Sequence, residues 1–442
     1  MEKIRTTETG ASGILAYTER MIFFLVPDCL WRFRYRDTLP LKLLRLIFIA
    51  VLSVSAGVVQ AVTVNAIQSG TVQSTGNGVV TVNVSAVDMA KSLLVFQTRH
   101  RSDRPTGSTI RGELASSTAL TFSRATNESS VIDIQWYLVE FASGVSVQRG
   151  TAVQSSATTR VSLPVSLGSH KRAFVLISKS VASTDVSFDD NDPVVAELVS
   201  ASRLEIRAAA ANSAHVVAWQ VAEVTDRSAD VSRGSTRLTD NGERSVTDEF
   251  RPEVDRAKSL LLSSWNSADS GNDIDERLIT AFFDDASHVM FRRGDNGGDD
   301  VDEIVYEVVS FSDGTSVQSG NLQFNPGETS KTATISAIDP RYSLPLSTVQ
   351  AYGGQAMGNT TYSSDDVVGE SAFTMSLTPS SVTVTRSSSM GTSRVDYQVV
   401  SFPAAAGGGG GGGGSSACAS IAADYPLYSQ SSIIVGTNGR IN

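Results

Sequence analysis

A chain of 442 residues with 41% hydrophobic, 7% aromatic and 19% charged residues has room for several domains with packed cores. Its net charge of -10 argues against a general nucleic-acid binder, since phosphate backbones need a basic surface. Cys29 lies in the N-terminal leader and Cys418 in the tail, so an exported mature chain has no internal disulfide and must be held by packing.

The first predicted element is an export leader, residues 1–61. "LKLLRLIFIAVLSVSAGVVQA" (41–61) supplies Lys42 and Arg45, an apolar run, and Val59-Gln60-Ala61 as a cleavage site. Met21 is an alternative start, and an uncleaved anchor is the alternative to cleavage. The expected location is secreted or at the cell surface. There Cys418 is either an inert thiol or an intermolecular cross-link.

After the leader, one unit recurs four times. Gly70, Gly150, Gly234 and Gly320 stand 80, 84 and 86 residues apart, the spacing of small β-sandwich domains. Within each interval come an alternating strand ("VVTVNVSAV", "TTRVSLPV", "RSVTDEF", "KTATISAI") and an apolar run ("SLLVF", "AFVLIS", "SLLLSS", "SLPLST"). A polar loop, a hairpin ending in Arg and a Trp/Tyr strand follow. Period-2 alternation broken by Gly, Asp and Ser predicts antiparallel β throughout. The expected fold is all-β: four tandem antiparallel sandwiches at 62–150, 151–234, 235–320 and 321–403, then a Gly-rich linker and tail at 404–442.

Trp136, Trp219, Tyr306 and Tyr397 occupy equivalent places, with apolar residues two positions to either side, and should be buried. The opposite face also turns apolar, at Val139/Phe141 and Val309/Phe311, which implies either a bulge or burial on both faces. The Trp/Tyr strand is expected to form a hairpin with the "VQ-x-G" strand that follows it. In the fourth unit that strand is missing, because the chain runs into Pro403 and the glycines 407–414. "VTVNAIQSG" (62–70) looks like the missing strand without a partner. Donated between copies it would build a head-to-tail filament. Residues 431–439 could fill the gap within one copy, and 62–70 could also pair inside the first unit.

The hairpin before each Trp/Tyr strand carries Glu113 and Arg124, Glu197 and Arg207, Glu276 and Arg292, and Glu370 and Arg386. Facing across two strands, such pairs add about 0.2–1 kcal/mol each; the functional alternative makes the arginines an anion or sugar contact. Acidic loops offer Asp189, Asp190, Asp192, Asp273, Asp275, Asp299, Asp300 and Asp302, the clustered carboxylates that calcium uses, although Asp is equally a turn former. Arg293-Gly294-Asp295 spells a cell-attachment tripeptide. His100, His170, His215 and His288 fit no catalytic motif, so no enzyme is predicted.

"IDIQWYLVEF" (132–141) and "HVVAWQVAEV" (215–224) resemble the closing strand of H-type lectin domains, over about half of each unit. The resemblance implies small antiparallel sandwiches that bind sugars, commonly as trimers; none of that family's sugar-contacting residues is carried over. More broadly, the chain is similar to bacterial surface proteins with repeated all-β modules. The expected function is a non-enzymatic structural or adhesive surface protein that forms homo-oligomers or polymers. The alternative is a multivalent lectin with a glycan or cell-surface ligand.

Overall fold

The computed structural model describes residues 61–405, apart from 77, 103, 125–129, 240–242, 269–276, 295–299 and 353–367. The leader through residue 60, the glycine tract, Cys418 and residues 431–439 lie outside the described residues. The described residues form an all-β structure of twenty-four strands, six in each of four repeats. No helix among them is long and apolar enough to cross a membrane.

The first repeat runs β1 (Thr63–Ser74), β2 (Gly78–Asn83), β3 (Ser92–Arg99), β4 (Arg111–Ser116), β5 (Ala119–Arg124) and β6 (Ile132–Ser143). The second runs β7 (Val145–Val153), β8 (Thr158–Ser162), β9 (Ala173–Ser180), β10 (Val195–Ser200), β11 (Arg203–Arg207) and β12 (Val216–Val224). The third has β13 (Ala229–Leu238), β14 (Ser245–Glu249), β15 (Ser259–Asn266), β16 (Ile279–Phe283), β17 (His288–Arg293) and β18 (Val301–Phe311). The fourth has β19 (Ser316–Phe324), β20 (Ser330–Thr334), β21 (Ser343–Tyr352), β22 (Phe373–Thr378), β23 (Ser381–Arg386) and β24 (Thr392–Ser401).

Each repeat makes two antiparallel three-stranded sheets. One is centred on its sixth strand, flanked by the first and third, as in β1-β6-β3; the other is centred on its fifth, flanked by the second and fourth, as in β2-β5-β4. This pairing corrects the expected hairpin. β7 follows β6 in the chain, yet it pairs with β12, and Gly150 stands opposite Trp219 rather than beside Trp136. Ser143-Gly144, with Gly144 at φ 80°, is a link between repeats and not a hairpin turn. The repeats therefore begin at the "VQ-x-G" strand: residues 63–143, 145–224, 229–311 and 316–401. The fourth has its own first strand, β19, on β24, and residues 63–74 pair inside the first repeat. The gap that strand donation was expected to fill is absent from this pairing.

The sixth strands are buried on both faces, which resolves the change of side read from sequence. Leu138 and Val139, Val221 and Ala222, Val308 and Val309, and Val399 and Val400 are adjacent residues on opposite faces, all 0% exposed. One face packs on the second sheet of its own repeat, giving four separate clusters; in the second repeat Val217, Trp219 and Val221 meet Leu198, Leu204 and Ile206. The other face joins a fifth cluster built from all four repeats, including Val139, Ala222, Val309 and Val400. The four pairs of sheets thus share a common core.

The two ends of this body meet. Val64 N donates to Pro403 O at 3.0 Å, Ala405 N donates to Val64 O at 3.1 Å, and Val62 N donates to Asp313 Oδ2 at 2.8 Å. A heterologous contact repeated from unit to unit gives a closed ring when its rotation closes, and the first and fourth repeats are in contact here.

Candidate functional site

The four aromatics are structural pivots. Trp136, Trp219, Tyr306 and Tyr397 are 7%, 3%, 1% and 6% exposed, each opposite a glycine: Gly70, Gly150, Gly234 and Gly320. A Cβ on Gly70 would lie 2.8 Å from Trp136 Cζ2, and one on Gly234 would lie 2.2 Å from Tyr306 Oη. The glycines recur because each ring packs against a bare α-carbon.

The Arg positions divide into two kinds. Strand alternation puts Arg124 and Arg386 on the inward face, where they end their sandwiches and donate to loop carbonyls: Arg124 Nε to Gly76 O, and Arg386 Nε to Glu328 O and Nη2 to Asn325 O. Arg207 and Arg292 lie one position out of that phase, on the opposite face. The third repeat's inward residue is Arg293, 1% exposed, donating to Glu243 O and Thr239 O. Arg207 pairs at 2.7 Å with both Glu197 and, in the next repeat, Glu303. Glu113 pairs with Arg111 on its own strand at 2.7 Å. Glu370 offers its backbone carbonyl to Arg386 and its carboxylate to Ser388. Glu276 lies outside the described residues, as do Asp273, Asp275, Asp295 and Asp299. Asp300 and Asp302 act locally: Asp300 O accepts from Ser267, and the Asp302 carboxylate accepts from Ala268 N.

The polar groups that join repeats follow a rule. On the sixth strand, the residue after the aromatic grips the third strand of the preceding repeat. Gln220 accepts from Leu94 N and donates to Leu94 O; Gln398 does the same at Leu261; Glu307 accepts from Val175 N. Burial pushes the Glu307 carboxyl up, against the Arg233 guanidinium 2.9 Å away. A second clasp runs from the third strand to the preceding fourth strand: Gly112 N donates to Ser178 Oγ, Ala196 N to Ser264 Oγ, and Ala281 N to Thr348 Oγ1.

Where the first repeat grips the fourth, the equivalent residues are Tyr137 and Gln97, and their targets cross over. Pro345 occupies the place of Leu94, Val175 and Leu261 and has no N–H to offer. Tyr137 reaches past it and donates to Met375 O at 2.8 Å, while Gln97 donates to Pro345 O at 2.7 Å.

A third element differs between junctions. Arg149 and Arg233, each just before the strand glycine, donate to Ser92 O and Ala173 O of the preceding repeat. The fourth repeat has Ser319 at this place. The space a guanidinium would fill is part of a cavity of about 420 Å³, lined by Arg256, Phe282, Asn321 and the ion-paired Arg394 and Asp396. Arg394 stacks over Phe282, 5.0 Å from its ring centroid.

The acidic loop of the second repeat brings together residues that sequence reading kept apart. Asp192 joins Asp185, His215 and Lys179 at the end of the sandwich; Asp189 and Asp190 stay in the turn, with Asp189 N donating to Asp192 Oδ2 at 3.1 Å. Burial pushes the Asp192 carboxyl up and the Lys179 ammonium down. Alternation held a signal for this. Lys179 continues the inward phase of Ala173, Val175 and Ile177, and His215 that of Val217 and Trp219.

No protein-family description matches this sequence, and neither a curated protein nor a solved structure matches it significantly.

Proposed function

We propose that this is an exported, non-enzymatic surface protein of structural or adhesive kind, in which four β-sandwich domains behind an export leader act as one closed scaffold. The observation that carries the reading is the cyclic set of clasps: Gln220, Glu307, Gln398, Tyr137 and Gln97 are all engaged in joining repeats. The leader in residues 1–61 supports export. Any larger homo-oligomer or polymer would use outer faces of the scaffold or Cys418, not a missing strand. The test is protease shaving of intact source cells together with negative-stain imaging of the purified protein. Surface cleavage and ring-shaped particles support the proposal; a protein shielded in intact cells and cut only after lysis would sink it.

A multivalent lectin is the second reading, favoured by the cavity lined by Phe282, Arg394 and Asp396, which sets an aromatic side chain next to charged hydrogen-bonding groups. Binding on a glycan array that disappears in Asp396→Ala would support it. An array without signal for the wild-type chain would remove it.

A further inference from the structure

The four sandwich ends invite direct comparison, because the repeats share one strand order. In the first, third and fourth repeats an inward arginine closes the end: Arg124, Arg293 and Arg386, at 5%, 1% and 1% exposure. In the second repeat the inward position is Ala208, and the space is filled instead by four ionisable side chains. Lys179, Asp185, Asp192 and His215 have side chains 6%, 5%, 8% and 0% exposed. Their strand-equivalent neighbours are uncharged where the register is regular: Lys179 corresponds to Thr98, Trp265 and Val349, and His215 to Ile132.

The Arg386 guanidinium and the second repeat's cluster differ in how well they are satisfied. Arg386 distributes its guanidinium over carbonyls of Glu328, Glu370, Asn325 and Gly391 and the hydroxyl of Ser393. In the second repeat Asp185 Oδ2, Asp192 Oδ1 and both ring nitrogens of His215 are buried without a hydrogen bond. His215 Nε2 and Asp185 Oδ2 lie 2.8 Å apart, yet outside hydrogen-bond geometry. Lys179 offsets the carboxylate charge only in part: its ammonium donates to the carbonyls of Asn191 and Asp192 and makes a long ion pair, 4.0 Å, with Asp192 Oδ1. Buried polar groups left unsatisfied are costly, and four such atoms converging at one end call for a partner such as an ion.

One donor atom from each of Asp185, Asp192 and His215 lies within 4.8 Å of the other two. Bonds of about 2.0–2.2 Å around a tetrahedral ion put donors roughly 3–3.5 Å apart, so small side-chain rotations close these three onto one ion. Two carboxylates and an imidazole suit a borderline transition cation, whereas calcium takes six to eight oxygens. We infer that the end of the second repeat is a binding site for one divalent transition cation such as Zn²⁺, held by Asp185, Asp192 and His215, with a fourth position open. It takes over the closing role that an arginine has in the other three repeats. This inference stands apart from the surface-protein reading and does not depend on it.

The test is titration of the EDTA-stripped full chain with Zn²⁺ against a chromophoric chelator, alongside Co²⁺ followed by visible absorption. The expected result is one ion per chain, a Co²⁺ ligand-field band, and no displacement by millimolar Ca²⁺. Asp192→Asn and His215→Gln should weaken binding at least 100-fold, with circular dichroism confirming a folded chain. Asp185→Asn serves if either of those fails to fold. Absence of stoichiometric uptake by the wild type overturns the inference, leaving a charge-compensated Asp/His/Lys network. So does uptake that persists in the folded variants, or ready displacement by Ca²⁺.

Discussion

At the junctions that follow the chain, Gln220, Glu307 and Gln398 each grip a backbone N–H of the repeat before: Leu94, Val175 and Leu261. At the junction that returns from the fourth repeat to the first, the equivalent pair is Tyr137 and Pro345, and no such bond can form. Tyr137 and Gln97 take other carbonyls instead, at Met375 and Pro345. The direction of grip is the same at all four junctions, while the chemistry changes at one. The sequential repeats share a clasp whose gripping atom is a side-chain amide or carboxylate oxygen, matched to a backbone N–H. At the closing junction both members differ together: a proline without a donor faces a residue that does not need one.

The largest effect should separate the repeat cores from the junctions. Trp219→Ala empties the second repeat's own core and should cost about 3–5 kcal/mol, read by chemical denaturation. A cost below about 1 kcal/mol would mean the ring is not packed as described.

Acid should weaken the closing junction next. His100 is buried beside the fourth repeat, with Gly369 packed on its backbone, and burial lowers its imidazole from 6.5 to about 4, with Arg124 adding to the shift. The unfolded chain takes up this proton more readily, so stability is kept above pH 6.5 and lost as pH falls towards 4. The loss by pH 4 is about 3 kcal/mol. Thermal melts between pH 7 and 4.5 should show the decline, and His100→Gln should flatten that part of it. An unchanged slope in the variant would remove His100 from the account.

Gln398→Leu leaves Leu261 N–H buried without an acceptor and should cost about 1–3 kcal/mol. Tyr137→Phe deletes one hydroxyl bond at the closing junction and should cost about 1 kcal/mol. The finest test transplants the common clasp. Tyr137→Gln with Pro345→Leu should be more stable than the two single effects sum to, by about 0.5 kcal/mol or more in a double-mutant cycle. Strict additivity would show that the two positions do not meet.

Much of this was legible in the sequence. The recurring glycine and aromatic mark the repeats because one ring packs on one bare α-carbon, a constraint strong enough to leave an 80-residue rhythm. Sequence points to a hairpin at Ser143-Gly144 and at Asp313-Gly314, which have the local chemistry of hairpin turns, whereas the strands on either side pair elsewhere. Local chemistry sets the turn, but long-range burial sets the partner, and β6 and β7 belong to different sheets. Arg292 and Arg293 are neighbours, and one residue decides which face a strand residue occupies, so the spacing alone does not single out the inward Arg293. The Asp185, Asp192, His215 and Lys179 cluster comes from four segments and is adjacent only in space. Its trace in the sequence is two ionisable residues, Lys179 and His215, at inward strand positions where other repeats carry Thr98, Trp265, Val349 and Ile132.

Closure of the ring is the central claim, and one distance tests it directly. Arg101 Nε donates to Ser387 O at 2.9 Å across 286 residues of chain. With Cys29 and Cys418 replaced by Ser, Arg101→Cys and Ser387→Cys should be joined by a sub-nanometre bifunctional thiol cross-linker within single monomeric chains. Rapid intramolecular cross-linking at high dilution is the result predicted here. Cross-links that form only between chains, or none at all, would contradict a closed ring and leave the repeats as an open tandem array.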